Sequence, residues 1–253
     1  MTVCAMTIAT AAALATEWTE LKGDHFIIYY VKEDAFAKET LRYAEGYYSR
    51  IASDLGYARV SNFWQWDNRV KIYIYPTEEE YVKISGEPAW SKGVANYTKK
   101  EITSFVWSKG FQESLLPHEI GHLIFRDFVG FKGEVPLWLD EGVAQWQEPS
   151  ARRIARRAGR QVVTDRQAVP FTDFTKTIQM EGKSDKEIRY FYMQALSVVD
   201  YMIGRHGTDA FSDFCRQLRD GKSLDEALRF AYPSGILNLD DLQEKWIKYV
   251  TEG

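Results

Sequence analysis

Leu115-Leu-Pro-His-Glu-Ile-Gly-His-Leu-Ile-Phe125 is the stretch on which the reading of this 253-residue chain turns. Residues four apart in a helix project from one face, one turn apart, so His118 and His122 can reach a single cation together. Glu119 lies beside that face, where a carboxylate can act on a water held by the cation. Two of the chain's four histidines fall within these five residues. Two histidines on a helix surface would look the same, so the motif needs a third partner.

A catalytic metal site takes three protein ligands and leaves a fourth position for water, which demands another His, Asp or Glu from a neighbouring element. Val135-Pro-Leu-Trp-Leu-Asp-Glu-Gly-Val-Ala-Gln-Trp-Gln-Glu148 supplies a candidate. Pro136 suits a helix start, and Asp140 and Glu141 put carboxylates in an early turn. The apolar neighbours would dock that helix on the first, with Glu141 facing the histidines. Taken alone, Asp140 and Glu141 would read as a pair that suits the helix dipole.

Together these segments resemble the gluzincin metallopeptidases, of the small bacterial peptidase MA-like type. Eighteen residues separate His122 from Glu141, as in the HExxH-x18-E pattern, and Trp138-Leu-Asp-Glu-Gly-Val-Ala144 looks like the W-L-N-E-G-x-A segment. The resemblance implies that His118, His122 and Glu141 ligate Zn2+ and that Glu119 is the general acid/base. Glu148 matches a glutamate that commonly follows in those enzymes and could orient a ligating imidazole; its plain alternative is a surface carboxylate. Metzincins are disfavoured, since Phe125 and Phe128 stand where their Gly and His belong. The thermolysin-like pattern fails as well, because Gln145 replaces its aspartate.

Tyr192-Met-Gln194-Ala195, followed by Asp200-Tyr-Met202 and Gly207, looks like a helix of the same small proteins. That likeness makes Tyr192 the first choice for an oxyanion donor, with Tyr190 as the competitor and core packing as the alternative for either. The related aminopeptidases place a glutamate from a GAMEN-like segment on the substrate amine. Here the corresponding region reads Gly93-Val94-Ala95-Asn96-Tyr97, which counts against aminopeptidase activity. The segment could instead pair as an edge strand with an extended peptide.

Outward from this centre, the front half reads as mixed β structure. His25 to Val31 and Arg69 to Tyr75 carry β-branched and aromatic residues, and Pro76 ends the second run. Two more strands are expected at Gly93 to Tyr97 and Glu101 to Trp107, joined through Thr98-Lys99-Lys100. Between the first two strands, apolar residues at helical spacing predict a long helix from Ala35 to Leu55, stopped by Gly56. Thr77-Glu-Glu-Glu-Tyr81 looks like a short helix start. After Phe111 the pattern turns helical, with capping boxes at Ser184-x-x-Glu187 and Ser223-x-x-Glu226 and stops at Gly207 and Gly221. The expected fold is α+β and zincin-like. An N-terminal mixed β-sheet lobe with the long helix (about 16–110) faces a C-terminal helical lobe (about 111–253), with the metal site between them in a single domain, 16–253.

Composition narrows the partners. A net charge of -4 from 32 basic and 36 acidic residues gives no general attraction to nucleic acid or anionic membrane. No apolar stretch is long enough to span a bilayer. Cys4 and Cys215 are too few for a disulfide framework, and Cys215 reads as a buried free thiol. The uncharged run from Thr2 to Thr16, with Ala13-Leu14-Ala15, resembles a signal peptide over residues 1–15 and points to a secreted or periplasmic protein. No Lys or Arg precedes the run, which keeps a cytoplasmic location as the alternative. Arg152, Arg153, Arg156, Arg157 and Arg160 form a basic stripe that reads first as a solvated face and second as an attraction for an anionic substrate. His25 and His206 lack ligand spacing, and His206 near a helix end would suit the dipole when protonated. The aromatic residues are scattered, and no sugar site is assigned.

The sequence therefore predicts a zinc-dependent hydrolase that cleaves peptide bonds in peptide or protein substrates. Its alternatives are a non-catalytic metal-binding or scaffold protein of the same fold and a zinc amidase acting on a non-peptide amide.

Overall fold

The computed structural model of the chain describes residues 17–56, 64–86, 92–107, 110–130 and 135–252. The expected signal peptide and Cys4 lie outside the described residues.

Alternation in the front half builds a five-stranded mixed sheet of order β1-β2-β3-β5-β4. Its strands are β1 (Thr19–Lys22), β2 (Phe26–Tyr30), β3 (Val70–Tyr75), β4 (Gly93–Asn96) and β5 (Glu101–Phe105). The central trio β2, β3 and β5 runs parallel, and β1 and β4 add antiparallel at the two edges. Register aligns Phe26 with Val70, and Ile28 with Ile72 and then Ile102, so one face carries a continuous apolar row. Slipping one residue would turn that row to solvent, which is what fixes the pairing. Helix α1 (Asp34–Asp54) packs against this face through Ala37, Ala44, Tyr48 and Ile51. Strand β1 was not anticipated: Thr-Glu-Leu-Lys is short and polar, and only pairing with β2 makes it a strand.

The remaining segments fold as α2 (Glu78–Ser85), α3 (Leu116–Val129), α4 (Leu137–Gln147), α5 (Pro149–Thr164), α6 (Phe171–Phe174), α7 (Asp185–His206), α8 (Thr208–Arg219), α9 (Leu224–Ala231) and α10 (Leu239–Thr251). Both capping boxes form, with Ser184 and Ser223 each accepting from the backbone three residues on. Gly56, Gly207 and Gly221 follow their helices at positive φ. The lobe order matches the zincin-like expectation of a mixed sheet followed by a helical part. No helix among the described residues is long and apolar enough to cross a membrane.

Two glycines decide how closely the site-bearing helices approach. A Cβ on Gly121 would stand 3.2 Å from Ala144 Cα, so α3 and α4 touch along their backbones. A Cβ on Gly142 would fall 2.6 Å from the Ala195 carbonyl oxygen, so α4 is wedged equally tightly against α7. Helix α4 thus sits between the HExxH helix and the helix that carries Tyr192. The turn after β4 is fastened to α3 by Lys100, whose ammonium lies 2.6 Å from Asp127.

The arginine stripe does more than face water. Arg156 and Arg160 donate to the Tyr249 and Val250 carbonyls in the last turn of α10, while Arg152 pairs with Asp54 and lies over the Trp146 ring. Helix-end carbonyls lack partners of their own, which explains this use of cations. His25 binds Glu45 through Nδ1 at 2.7 Å and stacks on Tyr48. The expectation for His206 is corrected: burial, helped by Arg205 and Lys245, pushes its pKa down, so it favours the neutral form.

Candidate metal centre

Helix α3 continues directly from a π-type turn at Phe111–Leu115, in which the Leu116 amide reaches back to the Phe111 carbonyl, and Pro117, which has no amide hydrogen to place, stands where the wider turn passes into the α-helix. His118 and His122 then stand one turn apart, with their Nε2 atoms 3.1 Å from each other. Glu141, carried in by α4, sets its carboxylate oxygens 3.7 Å from His118 Nε2 and 3.9 Å from His122 Nε2. The three ligand-capable atoms lie within 4.8 Å of one another.

Each imidazole is backed by a carboxylate on its far nitrogen. Glu148 Oε1 lies 2.9 Å from His118 Nδ1, and its other oxygen accepts from Ser114. Asp140 Oδ1 lies 3.0 Å from His122 Nδ1, in an oblique approach rather than a linear hydrogen bond. In the tautomer that places each imidazole proton on Nδ1, both Nε2 atoms present lone pairs toward each other. Two lone pairs 3.1 Å apart repel, so the pair calls for a shared cation, either a metal ion or the proton of a charged imidazole. Two nitrogens bound at about 2.0–2.1 Å to one tetrahedral cation stand about 3.4 Å apart, so the spacing fits such an ion. The donor set of two imidazoles and one carboxylate suits a divalent metal of borderline softness.

The surrounding charge points the same way. Burial is the largest influence on His122 and lowers its pKa, yet Asp140, Glu141 and Glu119 together lift it to about 9. Burial raises the pKa of Glu119, whose side chain is almost enclosed; Glu141 and Asp140 add to the rise while the two histidines oppose it. A carboxyl held up in this way is poised to exchange protons. Burial opposes ionisation of Asp140, but His122 and Arg126 outweigh it and hold that carboxyl below the usual range.

Tyr192 and Tyr190 part company. Tyr192 is half-buried, and burial followed by the charge of Glu141 pushes its pKa to about 12. The Tyr190 hydroxyl donates to Asp165 at 2.6 Å, and the neighbouring charges acting on it are those of Asp165 and Arg189. Only Tyr192 of the two therefore feels the Glu141 carboxylate.

Three residues at the centre were missed by the sequence reading. Asp140, taken there as a helix-dipole partner, is buried between His122 and Arg126, whose Nη2 donates to its Oδ2 at 2.6 Å. Arg126 lies one turn beyond His122 on the same helix, and that spacing was the available signal. Tyr97, in the turn just after β4, sets its ring edge-on to His122 with centroids 5.9 Å apart, under the Arg126 guanidinium at 4.0 Å. Nothing local in the sequence marks it.

The family described as Peptidase MA superfamily matches residues 58–252, a span that contains α3, α4 and α7. Among curated proteins no match is found.

Proposed function

The chain belongs to the peptidase MA superfamily, and from that premise we propose that it is a zinc-dependent peptidase with Glu119 as its general acid/base. The family supports a metallopeptidase-type hydrolase with peptide or protein substrates. The observation that carries the finer reading is the convergence of His118, His122 and Glu141 within 4.8 Å, beside the buried Glu119.

Zinc held by those three side chains would polarise a carbonyl and lower the pKa of water to about 7. Glu119 takes the proton from the attacking water and returns it to the leaving amine, a dual use that its raised pKa favours. Tyr192 donates its hydroxyl to the oxygen on which negative charge develops. Glu148 and Asp140 keep the two imidazoles in the tautomer and orientation that ligation needs. Strand β4 is an edge strand whose sheet partner is β5, and we read its outer edge, from Val94 to Asn96, as the place where an extended substrate backbone adds.

The test is metal analysis of the purified chain together with cleavage of a quenched-peptide library, with and without a chelator. The expected result is one zinc per chain and cleavage abolished by chelation, then restored by zinc. A folded chain that takes up no metal, or cleavage indifferent to the chelator, overturns the reading.

A further inference from the structure

Residues of α5 and α7, with Gln145 of α4, line an open groove of about 320 Å³. The two helices meet closely near Gly159, where a Cβ would collide with Ser197. Away from that crossing, the floor is apolar. Ile154 is 41 % exposed there, a large aliphatic side chain left facing solvent, and Met193 and Leu196 lie opposite it. Gln145 of α4 also lines it, and its amide donates to the Glu141 carbonyl oxygen at 3.3 Å. Gln145 and Glu141 are one helical turn apart, so the groove begins about 5 Å along the axis from a member of the ligand set. Met193 likewise follows Tyr192 directly.

Two exposed cations line this groove, Arg157 from α5 and Arg189 from α7, and no carboxylate does among the described residues. Three other arginines of the stripe are engaged elsewhere, Arg152 with Asp54 and Arg156 and Arg160 with helix-end carbonyls, and Arg153 does not line the groove. Arg189 lies 5.3 Å from the Tyr190 ring and hydrogen-bonds its hydroxyl, which in turn donates to Asp165, but it makes no ion pair of its own among the described residues. A partly apolar trough with two exposed guanidinium groups outside any ion pair, and no acid among its lining residues, is complementary to an extended chain bearing a carboxylate, which Arg binds in a forked geometry.

We propose that this groove is a substrate subsite and that Arg157 and Arg189 select a carboxylate on the bound peptide, from an acidic side chain or from the C-terminus. The proposal rests on the peptidase reading of the adjacent centre. Neither arginine touches the reacting atoms, so both act on specificity.

The test uses the zinc-loaded full chain carrying Glu119→Gln, which binds without turning over, with and without Arg157→Gln and Arg189→Gln together. Labelled Ala-Ser heptapeptides carry one Glu walked through each position with an amidated C-terminus. Controls carry Gln in its place, and a third set has Gln with a free C-terminus. Fluorescence anisotropy is expected to give about tenfold tighter binding for a peptide with a carboxylate at the matching place, an amount that two partly exposed ion pairs can supply. The double substitution should erase the difference, and the matching set tells side chain from terminus. Equal binding of the Glu, Gln and free-terminus peptides, a preference that survives the double substitution, or no binding at all each overturns the subsite. Cleavage of the same peptides by the unsubstituted chain separates the two readings. Cleavage without acid preference sinks the subsite alone, and acid-selective binding without cleavage sinks the peptidase alone.

Discussion

Glu148 Oε1 stands 2.9 Å from His118 Nδ1 although the two residues are 30 apart in sequence. The contact crosses from the end of α4 to the start of α3 and fixes which imidazole nitrogen faces Glu141. Glu148→Ala is expected to weaken zinc binding by about 10–100-fold, the usual loss when a partner behind a ligand is removed. Competition with a chromophoric chelator measures this directly. Unchanged affinity would show that the carboxylate is an onlooker.

Glu119→Gln should retain zinc and lose turnover by about 10²–10⁴-fold, the range typical of a positioned acid/base. Metal content and initial rates on one peptide give both numbers. Retained activity would remove Glu119 from the mechanism.

Glu141→Ala should uncouple stability from metal. For the unsubstituted chain, zinc at a hundred times its dissociation constant stabilises the fold by about 2.7 kcal/mol. Melting curves recorded with added zinc and with chelator should therefore separate for that chain and nearly coincide for the variant. A full zinc-induced shift in Glu141→Ala would place the metal elsewhere.

Arg126→Gln removes the cation that caps the buried Asp140 and should cost about 1–3 kcal/mol at neutral pH. The sign of the pH dependence follows from the depressed pKa of Asp140. Its ionised form stabilises the fold above the unfolded-state value of about 3.9, and that contribution fades as pH falls through the folded value. The gap between the two chains in urea unfolding should thus narrow toward pH 3. A gap that widens in acid would contradict the assignment.

Tyr192→Phe and Tyr190→Phe should fail in different ways. The first is expected to lower kcat by about 10²–10³-fold with little change in stability, the loss typical of one oxyanion donor. The second breaks a hydrogen bond to Asp165 and should lower the melting temperature slightly with kcat unchanged. Rates and melting temperatures of the two variants separate these outcomes.

The sequence by itself determined the local rules of this protein. The four-residue spacing of His118 and His122, the capping boxes at Ser184 and Ser223, and the alternation in β2 and β3 depend on periods of two and 3.6 residues. Neighbours along the chain enforce those periods, so they are legible without a fold. The interval from His122 to Glu141 was legible only through its likeness to a known pattern.

The tertiary structure decided which of these elements meet. Strand β1 exists because β2 offers it an edge, and β4 lies outermost because β5 takes the place beside β3. Asp140 became a buried partner of His122 and Arg126 because Gly121 and Gly142 let α4 close on α3 and α7. The same packing sent Tyr190 to Asp165 and left Arg157 and Arg189 facing an open groove. Such contacts join residues tens of positions apart through side-chain volume and backbone approach, and short-range periodicity carries no record of either.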